Sequence, residues 1–172
     1  MDLSLLFQLQ KKLDQKIEQK QQLNHPELTK SDVLTQKTLA LMIEAGEFVN
    51  EVQSFKYWKI NKNVNLRNVT EEFADLLHFL INLAYAYDVN PFIKPRQISD
   101  DINQQFQQLF IGIGKIMQMA NNADIQSLKT QITKVFEIAL GSFVMLGFTY
   151  GQMIQAYFYK NQKNFKRLYS NY

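Results

Sequence analysis

The sequence predicts an all-α protein, a single domain spanning residues 1–172 and built as a bundle of five or six helices. Three observations predict it. Apolar residues recur at spacings of three and four along most of the chain, the period of an amphipathic helix rather than the alternation of a strand. Six glycines and three prolines are spread over 172 residues, too few for a many-stranded β fold. The breaks that do occur fall between the periodic stretches, beside residues that cap helices. With 46% apolar and 13% aromatic residues, the chain can bury a sizeable core and is not a disordered segment.

Residues 3 to about 22 read as the first helix, with Leu6, Leu9, Leu13 and Ile17 on one face and Lys11, Lys12, Lys16 and Glu18 opposite. His25-Pro26 breaks it. Ser31 or Asp32 is the expected cap of a second helix running to Gln53. The polar stretch SFKYWKINKNVNLRN follows as a loop and carries the one tryptophan, Trp58, between Lys56 and Lys59. Asn68 with Glu71 three residues on resembles a capping box and predicts a third helix to about Tyr87. Asn90-Pro91 and Pro95 mark the next break. Ser99 or Asp100 is expected to start a fourth helix with Ile102, Phe106, Leu109, Ile113 and Ile116 inward. NNAD at 121–124 predicts a turn, Asp124 a cap for a fifth helix through Leu146, and Thr149 with Gln152 a capping pattern for the last, which ends in the basic segment YKNQKNFKR.

Several function classes are excluded or weakened at this level. The absence of cysteine rules out disulfides and thiolate metal sites. The first fifteen residues have no basic n-region and no continuous apolar run, and no stretch approaches roughly 18 apolar residues, so neither a signal peptide nor a membrane span is expected. A cytoplasmic protein without a membrane partner is the resulting expectation. The formal charge of +3 is small, and much of it sits at the two ends.

Two carboxylate pairs stand out. Glu44 and Glu47 lie in LALMIEAGEFVNEV, and Glu72 and Asp75 in VTEEFADLLHFLINLA. Spacing i,i+3 places each pair on one helix face, a turn apart. The apolar neighbours, Leu41, Met42, Ile43, Phe48 and Val49 around the first and Phe73, Leu76, Leu77 and Phe79 around the second, predict partial burial. Four facing carboxylates in such a setting need cations, and oxygen-only ligands favour a hard ion, Mg²⁺ or Mn²⁺. Solvated helix faces with incidental acids are the plain alternative. Glu51 and Glu71 are possible further ligands, expected to be exposed. A di-iron bundle is a weaker rival, because His78 three residues after Asp75 has no second acid-x-x-His to match.

Gly112-Ile113-Gly114-Lys115 lacks the full phosphate-loop pattern and falls inside a helix; glycines that let two helices approach are the better reading. The basic end, Lys160, Lys163, Lys166 and Arg167 among Tyr157, Tyr159, Phe165 and Tyr169, fits an exposed helix end, a nucleic-acid contact, or a cover in which Lys160 and Arg167, with Asn161 and Asn164, close over a nucleotide's phosphates.

Taken in order, ExxE, FKxW, ExxDxxHF and YxxKNxxNxxR resemble the dimeric all-α dUTPases of bacteria, bacteriophages and trypanosomatids, part of the all-α NTP pyrophosphohydrolase superfamily that includes MazG-like proteins. The likeness runs from LQKKLDQKI (9–17) through EAGEFVNEVQSFKYWK (44–59) and EEFADLLHF (71–79) to GFTYGQMIQAYFYKNQKNFKR (147–167). It implies that Glu44, Glu47, Glu72 and Asp75 bind two or three Mg²⁺ ions and that Lys59, Lys160, Asn164 and Arg167 hold phosphates. It implies a uracil pocket with Gln10, the residue at 14 and Trp58, and a sugar contact from His78, with Asn82 in the same substrate-binding set. Two departures are visible. Asp14 stands where the family often has Asn, and Arg167-Leu168 and Asn171-Tyr172 replace the family's usual Arg-Gln and Gly-Tyr.

The reaction implied is dUTP + H₂O → dUMP + pyrophosphate, with dUDP as a second substrate, in a homodimer whose C-terminal segment moves on binding; such an enzyme keeps uracil out of DNA and supplies dUMP. Specific nucleic-acid binding is not expected. Asp14 also leaves open a pocket that accepts dCTP, a related pyrophosphohydrolase of other base specificity, or a helical binding protein that has kept the fold without catalysis.

Overall fold

The computed structural model describes residues 1–120, 122 and 124–170; Asn121 and Ala123 of the expected NNAD turn and the Asn171-Tyr172 pair lie outside them. The described residues form six α-helices: α1 (Ser4–Asn24), α2 (Lys30–Val52), α3 (Leu66–Ala86), α4 (Ile102–Met119), α5 (Ile125–Met145) and α6 (Tyr150–Leu168). No strand occurs among the described residues. The nearest thing to one is an isolated antiparallel bridge between Asp2 and Phe92, which ties the N-terminus beside α1 to the α3–α4 connection.

Helix ends follow local chemistry, with three starts displaced from expectation. Asp124 caps α5, its carboxylate accepting Ser127 N–H at 2.9 Å. Thr149 and Gln152 form the expected capping box of α6. The second helix begins earlier than expected: Thr29 is its cap, and Asp32 is the third helical residue, whose carboxylate takes the Thr29 N–H at 2.9 Å. Asn65, not Asn68, caps α3, because Asn65 Oδ1 reaches the N–H groups of Arg67 and Asn68 while the Asn68 side chain donates to Glu51. Asp101 rather than Ser99 or Asp100 caps α4. In each case several neighbouring residues have capping side chains, and tertiary position selects among them. Gln53 ends α2 in the left-handed region at φ 58°.

The core is centred on α3, whose Phe73 stacks on Phe143 of α5 (ring centroids 4.1 Å apart) and meets Phe48 of α2 at 5.0 Å; Phe48 in turn meets Phe106 of α4 at 5.7 Å. Burying Phe48 and Phe73 fixes the rotation of both helices, so the acids immediately before each ring, Glu47 and Glu72, flank the core instead of entering it. Helix α6 packs against α3, α1 against α6 and α3, and α4 against α5 and α2. Leu6 and Leu13 are buried as expected, whereas Ile17 lies beyond the packed half of α1 and is exposed.

The two glycines of the 112–115 stretch differ. A Cβ on Gly112 would lie 2.7 Å from Val135 Cγ2, so α4 and α5 do approach there, but Gly114 faces open space. A tighter contact occurs at Gly141, where a Cβ would fall 2.0 Å from the Arg96 carbonyl oxygen. That carbonyl also accepts from the fully buried Gln105 side chain at 2.9 Å, and Arg96 N–H bonds to Glu137 O at 2.8 Å, which clamps the α3–α4 connection onto α5. Gly141→Ala is therefore expected to destabilise the fold by about 3 kcal/mol, whereas Gly114→Ala is expected to stabilise it slightly, by up to ~1 kcal/mol. Urea unfolding of the two variants beside the parent checks both signs.

No single helix among the described residues is long and apolar enough to cross a membrane.

Candidate active site

The two acidic pairs come together because α2 and α3 pack side by side with their phenylalanines inward. Carboxylate oxygens of Glu44, Glu72 and Asp75 lie within 4.8 Å of one another. Glu47 is more exposed and stays outside this three-way cluster. Burial, followed by the charges of Asp75, Glu47 and Glu72, pushes the Glu44 carboxyl up to about 7. Burial and then the Asp75 charge raise Glu72. Asp75 is raised by burial even though a lysine touches it.

That lysine is Lys160 of α6, 5% exposed. Its ammonium contacts Asp75 and donates to Glu71 Oε1 at 3.1 Å; Lys163 joins Glu71 from the solvent side at 2.9 Å. Burial works against the Lys160 ammonium, but its bonds to Asp75 and Glu71 outweigh that and raise its pKa. Glu71, expected to be exposed, is half-buried and is lowered first by its bond to Lys163. Among the described residues Lys160, shared between Asp75 and Glu71, is the one ammonium bonded within the Glu44–Glu72–Asp75 group, which keeps excess negative charge. Three converging carboxylates and no soft ligand make a donor set that fits a hard divalent cation.

The raised acids give a testable sign. Glu44 titrates near 4.5 when unfolded and about 7 when folded, so folding disfavours its charged form. Its stabilising contribution is full below pH 4.5 and is lost as pH rises through 7. The metal-free protein is thus expected to lose thermal stability between pH 5 and 8, and added Mg²⁺ to restore it at the upper end. Melting curves with and without chelator across that range measure this.

Beyond the acids, α3 continues on one face to His78 and Asn82. His78 is buried and stacks on Tyr157 with centroids 4.4 Å apart. Its Nδ1 donates to the Ala74 carbonyl at 2.7 Å, and burial lowers its pKa to about 4. The ring is neutral, and Nε2 is a buried acceptor without a hydrogen-bond partner among the described residues. Asn161 Nδ2 is likewise buried and unpartnered.

Asp14 of α1 lies at the centre of the adjoining network. It accepts from Gln10 Nε2 at 2.9 Å, Asn82 Nδ2 at 2.6 Å and the Tyr85 hydroxyl at 2.6 Å, while the Tyr157 hydroxyl donates to Gln10 Oε1 at 2.7 Å. Tyr85 is not readable as a site residue from the sequence, since a late-helix tyrosine three residues after Asn82 carries no distinctive signal; Tyr157 opens the YxxKNxxNxxR motif, which by itself gives it no role. Asn82 also lines a cleft of about 1060 Å³ between the second half of α1, the start of α2 and the end of α3.

Gln10, Asp14, His78 and Asn82 are thus gathered along α3, and Glu44, Glu72, Asp75 and Lys160 beside them. Arg167 donates to Asn164 at 3.4 Å and its charge reaches Asp75. Trp58 and Lys59 are not brought to the Gln10–Asp14 end. Lys59 bonds Gln53 at 3.2 Å, and Trp58, 61% exposed, packs edge-on against Phe55 and Tyr57. Their loop folds back on the end of α2, whereas Asn82 lies sixteen residues, roughly 24 Å of helix, beyond the start of α3.

No curated protein gives a significant match to the chain. A family model described as dUTPase matches residues 2–172. Matched over all but its first residue, and helical without a strand among its described residues, the chain belongs to the dUTPase family and is a hydrolase, a dUTP diphosphatase.

Proposed function

We propose that the protein hydrolyses dUTP, and dUDP as a second substrate, in a Mg²⁺-dependent reaction, dUTP + H₂O → dUMP + pyrophosphate. The observation that carries the metal dependence is the convergence of Glu44, Glu72 and Asp75 within 4.8 Å against a single interposed ammonium, Lys160. A triphosphate brings roughly four further negative charges, so acids and substrate repel unless cations lie between them. Glu44, Glu47, Glu72 and Asp75 would hold a divalent ion, which would supply that neutralisation and Lewis-acid polarisation of a phosphoryl oxygen.

The remaining roles belong to the chain. Glu47 makes no hydrogen bond to the described residues and accepts the proton of the attacking water at its carboxylate. Lys160, Asn164 and Arg167 on α6 and Lys59 on the α2–α3 loop bind phosphate oxygens and offset charge on the departing pyrophosphate. Asn82 lies two turns, about 10 Å, from Asp75 along α3, which suits phosphates at the acids and the base at Gln10, Asp14 and Asn82, with His78 at the sugar between them. Trp58 closes the base pocket on this reading by movement of its loop or from a second copy. A homodimer is part of the same proposal, supported by Leu39 and Ile43 on α2 and Ile111 on α4, each about half exposed; light scattering tests it.

The deciding experiment is pyrophosphate release from dUTP, dCTP, dTTP and dATP, each with Mg²⁺ and again with EDTA. Metal-dependent release led by dUTP is expected. Release that persists in EDTA removes the metal from the mechanism, and none from any nucleotide rejects the reading.

A further inference from the structure

Glu71 precedes Glu72 by one residue, a step of about 100° around α3, and the two face different neighbours. Glu72 converges with Glu44 of α2 in the three-carboxylate cluster. Glu71 turns to α6 instead, where its Oε1 accepts from Lys160 at 3.1 Å and from Lys163 at 2.9 Å. It stands outside the cluster, yet its side chain is only 23% exposed. Two ammonium groups on one oxygen keep it charged, and the bond to Lys163 is the first cause of its lowered pKa.

The Lys160 ammonium touches Asp75 as well as Glu71, and its charge also acts on Glu44 and Glu72. It therefore lies against the same carboxylates that fit a divalent cation. Two cations on one carboxylate repel, so Asp75 cannot serve a close ammonium and a divalent ion on equal terms. An ammonium turned away from Asp75 into this half-buried region without another acceptor would be costly. Glu71 removes that cost. The ammonium already reaches its Oε1, so Lys160 gives up Asp75 by rotation at the end of its flexible stem, with α6 in place. An ammonium has three donors, and the one released from Asp75 is then free for a phosphate oxygen.

We propose that Glu71 is a positioning residue: it retains the Lys160 ammonium when Asp75 gives it up, so that Asp75 is free to ligate a divalent ion while Lys160 stays beside the cluster. For the phosphate contact this rests on the dUTP reading above; for the exchange of partners it does not.

The test is Mn²⁺ binding followed by EPR and Mg²⁺ binding followed by calorimetry, both without nucleotide. The proteins are the parent, Glu71→Gln, Lys160→Met and the double variant, each with a thermal melt. Glu71→Gln is expected to weaken metal binding about tenfold, because the ammonium loses its charged alternative to Asp75. Lys160→Met is expected to bind metal more tightly than the parent, and Glu71→Gln to have no further effect in that background. A loss of equal size in the Lys160→Met background means that Glu71 acts only as a nearby negative charge, and overturns the proposal. So does unchanged binding in Glu71→Gln, or binding in Lys160→Met no tighter than in the parent. With dUTP, Glu71→Gln is expected to raise the Mg²⁺ concentration for half-maximal rate more than it lowers the rate at saturation; the reverse overturns the proposal. If the parent hydrolyses nothing, the dUTP reading fails on its own and the metal-binding results still decide this one. If Lys160→Met does not fold, Glu71→Asp replaces it: the charge is kept but drawn back from Lys160, so weakened metal binding supports the proposal and parent-like binding overturns it.

Discussion

Glu72→Gln is expected to lower dUTP hydrolysis about a thousandfold, some 4 kcal/mol of transition-state stabilisation, while the metal-free protein melts at a higher temperature than the parent. The two effects share one cause. Glu72 is raised by burial and by the Asp75 charge, so in the metal-free fold its carboxylate is a liability, and a neutral amide of the same shape removes repulsion from the cluster. The same amide is a poor ligand for a hard cation. Pyrophosphate release and melting temperature, measured in parallel, check the pair. Full activity in the variant would remove Glu72 from the site, and a lower melting temperature would show that its charge stabilises the fold.

Lys160→Met is expected to destabilise the metal-free protein by about 3 kcal/mol at pH 8 and to impair turnover through the lost phosphate contact. Methionine keeps most of the apolar stem, so the effect isolates the charge. Without the ammonium, Asp75 loses its bonded counter-ion and Glu71 keeps only Lys163 from the rim. The loss is expected to shrink toward pH 5, where the raised acids take up protons, and to be partly reversed by Mg²⁺. Lys163→Ala is the control: its side chain is 41% exposed on the rim of the same pair, and a change within about 0.5 kcal/mol is expected. Equal losses for the two lysines in urea titrations would mean that burial of Lys160 carries no special weight.

The acidic pairs were legible in the sequence because both halves of each pair lie on one helix, where a spacing of three fixes their common face. The six-helix order was legible for the same reason: periodicity and capping are local. The structure brings Glu44, Glu72 and Asp75 into contact range and leaves Glu47 at the edge, a distinction that depends on how α2 rotates when Phe48 is buried. Thr29, Asn65 and Asp101 displaced the expected caps because each helix start offers several competent side chains in a row.

The basic end shows the limit more plainly. Lys160, Lys163, Lys166 and Arg167 are alike as a charge run, yet Lys160 is buried against two acids from the other half of the chain while Lys166 is exposed. Asp14 is equally mute in isolation. Its three donors come from α1 and from residues 68 and 71 positions away.

By itself, then, the sequence determined the helical class, the order of the helices, the two carboxylate pairs and the family to which they point, since each is written in short-range spacing. Tertiary structure alone decided which acids converge, which lysine neutralises them and which way the Gln10 and Asn82 amides face. Those depend on side chains far apart in the chain meeting in a low-dielectric interior, where a single unpaired charge or misdirected donor costs several kcal/mol.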